Sequence, residues 1–391
     1  MSKTWDNSII SKPGQGVSGR ASEPPLPVAI ADLTGRTVIV VGANVGLGFE
    51  CAKHLAGMGP SKLILACRNE VSGKNAVEEI KKETGFASIE FRPLDLGSFA
   101  SVQVFAQKFV AEIGTLDILI ANAAMLPTRY ECTLDGHEMG LQVNYLSTAL
   151  LTLLLLPTMS ETGKTSRYKP RIVMVTSQMH SHTTLDDELL NSASILKQIS
   201  DPDYCKKDRR VPPPLRESSY LIRLASSIID RRYADTKREF SADIHVDLIL
   251  TATIGEISIV FGVFFGRSLN DRLSKIGSPI IVNAVDPGRC VSQLIRTLPD
   301  TAREQMTMLS HSDGYTTEEG SRSLVYGAVG EAGTEAEETL RGAHLRRGRK
   351  TEYGEFVLTS QGEKLQERIW NETMEMLCQV DAHVADALTK S

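Results

Sequence analysis

The chain has 391 residues, 41% hydrophobic and 23% charged, which is enough apolar material for a substantial core and too much for a disordered tail. Its 43 basic and 48 acidic residues leave a net charge of -5, so no overall basic field exists to hold nucleic acid or an anionic membrane. Six scattered cysteines (Cys51, Cys67, Cys132, Cys205, Cys290, Cys378) form no C-x-x-C pair and have no histidine at metal-finger spacing. That pattern argues against a disulfide framework or a structural zinc site, and for a reducing, cytoplasmic setting.

Residues 1–31 are rich in Ser, Gly and Pro and lack the apolar run of a signal peptide, so they are expected to form a flexible arm. From 32 to 391, short β-branched runs alternate with amphipathic stretches, the pattern of one domain built on a parallel sheet. Strands are predicted at 37–42, 62–66, 88–93, 116–121, 171–176 and 279–285, and helices at 47–58, 72–84, 99–113 and 136–156. Six strands with intervening helices predict a doubly wound α/β fold, which binds ligands beyond the carboxyl ends of its strands.

The first strand runs straight into V-G-A-N-V-G-L-G, so that Gly42, Asn44, Gly46, Leu47 and Gly48 lie in a turn that opens a helix. Glycines there let the backbone approach a pyrophosphate, and the helix N-terminus offers unpaired N–H groups. The spacing is G-x-x-x-G-x-G; the position between strand and helix favours a phosphate site over a plain glycine-rich turn. After the second strand, Arg68 stands where an NAD-binding site favours an acidic residue. Its guanidinium suits a ribose 2′-phosphate, so NADP(H) is expected in preference to NAD(H), with a solvated loop arginine as the alternative. Asp95 and Leu96 follow the third strand and Asn122 the fourth, at the sheet edge where an adenine and its ribose would rest. Ser177 follows the fifth strand, and Pro287 and Gly288 follow the sixth. Among the nine tyrosines, Tyr233 alone has a lysine four residues on, Lys237. On a helix the two share a face, and the ammonium can lower the phenol's pKa toward working pH.

Taken in this order, these residues resemble the short-chain dehydrogenase/reductase superfamily and, within it, the retinol-dehydrogenase-like and fungal reductase branch, over residues 32–384. L-I-L-A-C-R-N at 63–69, L-D-I-L-I-A-N-A-A at 116–124, L-Q-V-N-Y-L at 141–146 and S-P-I-I-V-N-A-V-D-P-G at 278–288 carry the same resemblance. So do T-T-E-E-G-S-R at 316–322 and G-E-K-L-Q-E-R-I-W at 362–370. The resemblance implies a Rossmann fold with a variable carboxyl-terminal region closing over substrate. It further implies that Tyr233 is the general acid/base, that Lys237 holds the nicotinamide ribose and depresses the Tyr233 pKa, and that Ser177 hydrogen-bonds the substrate oxygen. Asn144 would position a proton-relaying water, and a homodimer is implied as well. Read singly, Ser177 could cap a turn, Asn144 could bond backbone and Lys237 could be a solvated face residue. Val41 stands where the family usually has Thr, and Ala124 where it usually has Gly, which implies weakened rather than abolished cofactor affinity.

Two spacings exceed the family pattern. The excess between Ser177 and Tyr233 lies near 211–230, and the one after Lys237 lies near 241–262; one or both are expected to be translated introns or lineage-specific insertions outside the core. Residues 248–266 are strongly apolar, but Glu256, Gly255, Gly262 and Gly266 make a poor spanning helix. A buried or membrane-touching helix fits better. His180 and His182 lack a third ligand and are expected to be substrate-loop residues rather than a metal site, and R-R-G-R-K at 346–350 to be a solvated turn. The sequence therefore leads to an NADP(H)-dependent oxidoreductase interconverting a carbonyl and an alcohol on a small apolar metabolite in specialised biosynthesis. A non-catalytic dinucleotide-binding regulator or scaffold is the rival.

Overall fold

The computed structural model describes residues 26–206, except 128, 182 and 184, and residues 242–389, except 298–299, 301–302, 305–306 and 308–313. Its centre is an eight-stranded sheet: β1 (Thr37–Val41), β2 (Lys62–Cys67), β3 (Ile89–Pro93), β4 (Ile118–Ala121), β5 (Arg171–Val175), β6 (Ile281–Asp286), β7 (His344–Arg346) and β8 (Arg349–Thr351). The spatial order is 3-2-1-4-5-6-7-8, parallel throughout except between β7 and β8. The order reverses between β1 and β4, which opens a crevice at their carboxyl ends.

Helices cover both faces, so β1 reads as an unbroken apolar run that still alternates in direction. Val38 and Val40 face one core, Ile39 and Val41 the other. The first core is roofed by α1 (Gly46–Ala56) and α2 (Glu70–Thr84), and later by a helix at Thr317–Val329. The second is roofed by α3 (Phe99–Glu112), α4 (Ser147–Thr165) and α5 (Ala242–Lys275). The Thr317–Val329 helix, α6, opens with a capping box of Thr316 and Glu319. Finally, α7 (Ser360–Val380) lies over α5, where Trp370 stacks on Phe265 with centroids 5.6 Å apart and Arg272 sits over the Trp370 ring.

The observed strands fall on the six predicted ones to within two residues at either end. The helix expected at 136–156 begins at Met139, passes through a π-helical turn at Gln142–Leu146, and continues as α4 past Pro157. A proline interrupts the i→i−4 ladder. Here the last turns are held by burial of Thr158, Met159 and Thr162, whose hydroxyl accepts the Leu116 N–H at 3.0 Å. Among the described residues, Met139–Thr165 is long and apolar enough to cross a membrane, and 78% of its apolar window is buried in the core.

The β7–β8 hairpin was not expected. Its two-residue turn, Arg347-Gly348, has φ of 54° and 65°, the paired positive values of a type I′ turn. Arg346, read as part of a solvated turn, instead directs its guanidinium at buried Asp286, with Nε 3.3 Å from Oδ2. Residues 242–262, part of a stretch expected as an insertion outside the core, enter α5, and within it Ile257, Val260 and Phe261 are fully or almost fully buried, in keeping with the buried helix expected at 248–266. The stretch 211–230 lies outside the described residues. Of the expected arm, residues 26–31 lie against the first core: Val28, Ala29 and Ala31 pack on it, and the Leu26 carbonyl accepts from Arg322 at 2.9 Å.

Candidate active site

At the end of β1 the chain must turn sharply to start α1, and Gly42 (φ 74°) and Gly46 (φ 65°) take the left-handed conformations that permit it. The turn is also tight against its neighbours. A methyl group on Gly48 would lie 2.4 Å from the Gly42 carbonyl oxygen and 2.6 Å from Asn122 Nδ2; one on Gly42 would lie 2.8 Å from Ala123 Cα. Asn122, expected beside an adenine, uses its amide to donate to the Val41 and Gly42 carbonyls at 3.2 and 3.1 Å. It fixes the glycine loop from the neighbouring strand. Asn44 donates to Ser72 Oγ at 3.0 Å and ties the same loop to the first turn of α2. Leu47 packs partly buried on the first core, toward Gly320 of α6.

The N-terminus of α1, whose cap Val45 makes no side-chain hydrogen bond, lines a cleft of about 650 Å³. Asn44, Gly46, Thr317, Arg296 and Arg303 are among its lining residues. Unpaired N–H groups, two guanidinium groups and a glycine backbone suit a diphosphate, so the residues present fit a dinucleotide. Arg296 and Arg303, in the segment after β6, were not singled out from the sequence because no motif surrounds them. Arg68 is exposed at the end of β2, beside Asn69, which caps α2 by accepting the Ser72 N–H. Asp95 turns its carboxylate onto its own loop, accepting the Gly97 N–H at 2.9 Å, and Leu96 is buried.

The next two strands bring further predicted residues to the same edge of the sheet. Asn144 lies in the π-helical turn, its Oδ1 accepting the Met125 N–H at 2.8 Å while its Nδ2 donates to the Met125 carbonyl and to Ser258 Oγ at 3.0 and 3.1 Å. The side chain thus staples the segment after β4 to α5. Ser258 in turn donates to the Gly255 carbonyl at 2.7 Å. Sequence reasoning missed Ser258 because it lies in a stretch read as an insertion. Near it on α5, Glu256 is pushed up to about 7 by burial. Ser177 stands just beyond β5, its hydroxyl accepting the Met179 N–H at 3.2 Å. Tyr233 and Lys237 lie outside the described residues.

Beyond β6, Gly288 (φ 79°) donates to Asp286 Oδ1 at 2.9 Å, which shapes the turn through Pro287. Asp286 is buried, and desolvation raises its carboxyl pKa against the opposing pull of Arg346. Burial pushes the thiol of Cys290, nearby, up to about 12. His180 corrects an expectation: it is fully buried and faces protein groups, not a substrate loop. His182 lies outside the described residues. Among the described residues no group of three or more His, Cys, Asp or Glu could hold a metal ion.

Comparison with known proteins follows the same lines. The short chain dehydrogenase family model matches residues 36–185. The short chain dehydrogenase/reductase dmxR8 of Cryptosporiopsis is 30% identical over 354 residues, covering 90% of this chain and 93% of the relative. The short chain dehydrogenase resG of Aspergillus sclerotiorum is 31% identical over 363 residues, covering 91% and 88%. Among solved structures, an uncharacterized protein from Mycobacterium paratuberculosis superposes with a TM-score of 0.54 at 20% identity, covering 90% of this chain and 98% of that one.

Proposed function

We propose that this chain, which belongs to the short-chain dehydrogenase/reductase family and its fungal branch, is an NADP(H)-dependent reductase that interconverts a carbonyl and an alcohol on a small apolar metabolite. Membership makes it an oxidoreductase, from a family that binds nicotinamide dinucleotides and acts on small molecules. The observation that carries the finer reading is the arrangement at the carboxyl edge of the sheet: a glycine cradle after β1, locked by Asn122, with Ser177 beyond β5 and Gly288 beyond β6 on the same edge.

In this reading the α1 N-terminus and the Gly42–Gly48 backbone hold the diphosphate, Arg296 and Arg303 screen its charge, and Arg68 meets the 2′-phosphate. The bound nicotinamide supplies or accepts the hydride. Ser177 donates a hydrogen bond to the substrate oxygen, which stabilises the negative charge that grows there, and Tyr233 delivers the proton to that oxygen. Lys237, four residues on from Tyr233, lowers the phenol's pKa by its charge. Loop lengths that depart from the family pattern support a place in specialised biosynthesis. A cytoplasmic setting accords with the cysteine pattern.

Asn144's amide, bonded to Met125 and Ser258, favours a second reading as a dinucleotide-binding regulator. Thermal-shift titration with NADPH and NADH followed by Tyr233→Phe separates the two. The reductase reading expects stabilisation that is larger with NADPH, and a Tyr233→Phe variant that keeps this shift while losing NADPH-dependent carbonyl reduction. A stabilised chain whose biological function survives Tyr233→Phe is a regulator.

A further inference from the structure

The turn that carries Ser177 is held by a group 174 residues from its anchor. The Ser177 carbonyl accepts from the His180 N–H at 3.2 Å and contacts the His180 ring Nδ1 at 2.6 Å. On the other side of the ring, Nε2 accepts the Gly354 backbone N–H at 3.0 Å. An amide N–H can only donate, so Nε2 presents a lone pair, and the ring proton belongs on Nδ1, pointing at the Ser177 carbonyl. The partners on the two sides therefore select one neutral tautomer. Ser181 Oγ, 3.5 Å from Nε2, is compatible with it as a weak donor.

Close packing and further hydrogen bonds surround this ring. His180 is fully buried, edge-on to His344 at 4.8 Å between centroids and to Tyr353 at 6.1 Å. His344 is itself kept neutral, its pKa pushed down to about 3 by burial, with Nδ1 2.7 Å from Thr351 Oγ1. Gly354 comes so close that a methyl group on it would lie 2.5 Å from Ser181 Cα, so the contact depends on a glycine. Asp286, which accepts the Gln178 N–H and faces Arg346, holds the neighbouring residue of the same turn to the end of β6.

We propose that His180 is a positioning residue, a neutral two-sided clamp that fixes the Ser177 turn to the backbone of Gly354 and so aims the Ser177 hydroxyl at the substrate oxygen. For what Ser177 does, the proposal rests on the reductase reading; the clamp itself stands without it. A misplacement of about 1 Å at a group that meets the reacting atom lowers turnover by about 100-fold, so a residue that never touches substrate can matter this much.

Full-length wild type, His180→Asn, His180→Phe, Ser177→Ala and the Ser177→Ala/His180→Phe double variant are the set to compare. Phenylalanine keeps the ring's bulk and removes both hydrogen bonds, whereas asparagine retains a donor near the Nδ1 position. By hydrogen exchange, His180→Phe is expected to speed exchange about tenfold or more at residues 177–181 and at Gly354, leaving α1 unchanged, with His180→Asn recovering the 177–181 segment. Equal exchange in wild type and His180→Phe overturns the clamp. With 9,10-phenanthrenequinone as probe carbonyl, His180→Phe is expected to lower kcat tenfold to 100-fold with NADPH affinity unchanged, and to add nothing in the Ser177→Ala background. Losses that multiply show that His180 does not act through Ser177. Should the wild type neither bind NADPH nor reduce the quinone, the reductase reading falls alone and hydrogen exchange still decides the clamp. Should His180→Phe fail to fold, nitrogen-15 spectra of wild-type His180 at pH 7 decide it, since an Nε2-protonated ring or an imidazolium overturns it.

Discussion

The two sides of the crevice are built differently. On the β1–β4 side, the loop between β1 and α1 is shaped by its own glycines and by Asn122 after the adjacent strand. On the β5–β6 side, the Ser177 turn depends on Gly354 and the β7–β8 hairpin, and the amino end of β5 is pinned by Arg171, which reaches the Gly327 and Gly330 carbonyls and Glu337. Dense short-range constraint makes a site whose failure is local, whereas long-range anchoring spreads a failure through the fold.

That contrast breaks first at Arg171. Its guanidinium is buried with Glu337 at 3.0 Å, and removing one partner of a buried pair costs about 3–5 kcal/mol. Arg171→Ala should therefore lower the denaturation midpoint strongly while the folded fraction still binds NADPH normally, as urea melts with and without NADPH will show. Loss of binding in the folded fraction would merge the two sides into one unit. Gly48→Ala should behave the opposite way. Its methyl would meet backbone and a bonded amide, so about 1–3 kcal/mol of stability is expected to go together with nearly all the NADPH-induced thermal shift.

Glu256 sharpens the comparison by pH. Its carboxyl is held protonated in the fold to about pH 7, whereas in the unfolded chain it ionises near 4.5. The folded state thus binds the extra proton between these values, and the contribution to stability is fully present below pH 4.5 and lost as pH rises through 7. Glu256→Gln should leave melting at pH 4.5 unchanged and raise stability at pH 8 by about 1–3 kcal/mol. Equal melts of the two proteins at pH 8 would mean that the carboxyl is hydrated. The smallest effect is expected at exposed Arg68: Arg68→Ala should weaken NADPH binding about tenfold, close to one charge-assisted contact, and leave NADH unchanged, as paired titrations will show.

Much of the amino half was legible in the sequence because its determinants are contiguous. Alternating apolar strands and Gly42 and Gly46 after β1 are each encoded within a few residues of where they act. The candidate site was legible as a list but not as an arrangement. Asn122 and Asn144 were recognised as site residues, yet the structure turns their amides onto backbone and Ser258. His180 looked like a loop residue because nothing in its own segment reveals that Gly354 approaches it.

Composition, strand periodicity and the glycine turn by themselves determined a doubly wound α/β chain, since these follow from local backbone preference and from burial of two sheet faces. Tertiary structure alone decided that α4 runs on past Pro157 and that a β7–β8 hairpin extends the sheet. It also decided that one buried imidazole joins Ser177 to Gly354. Each of these rests on contacts between residues far apart in the chain, where burial and hydrogen bonding outweigh the preferences of any short segment.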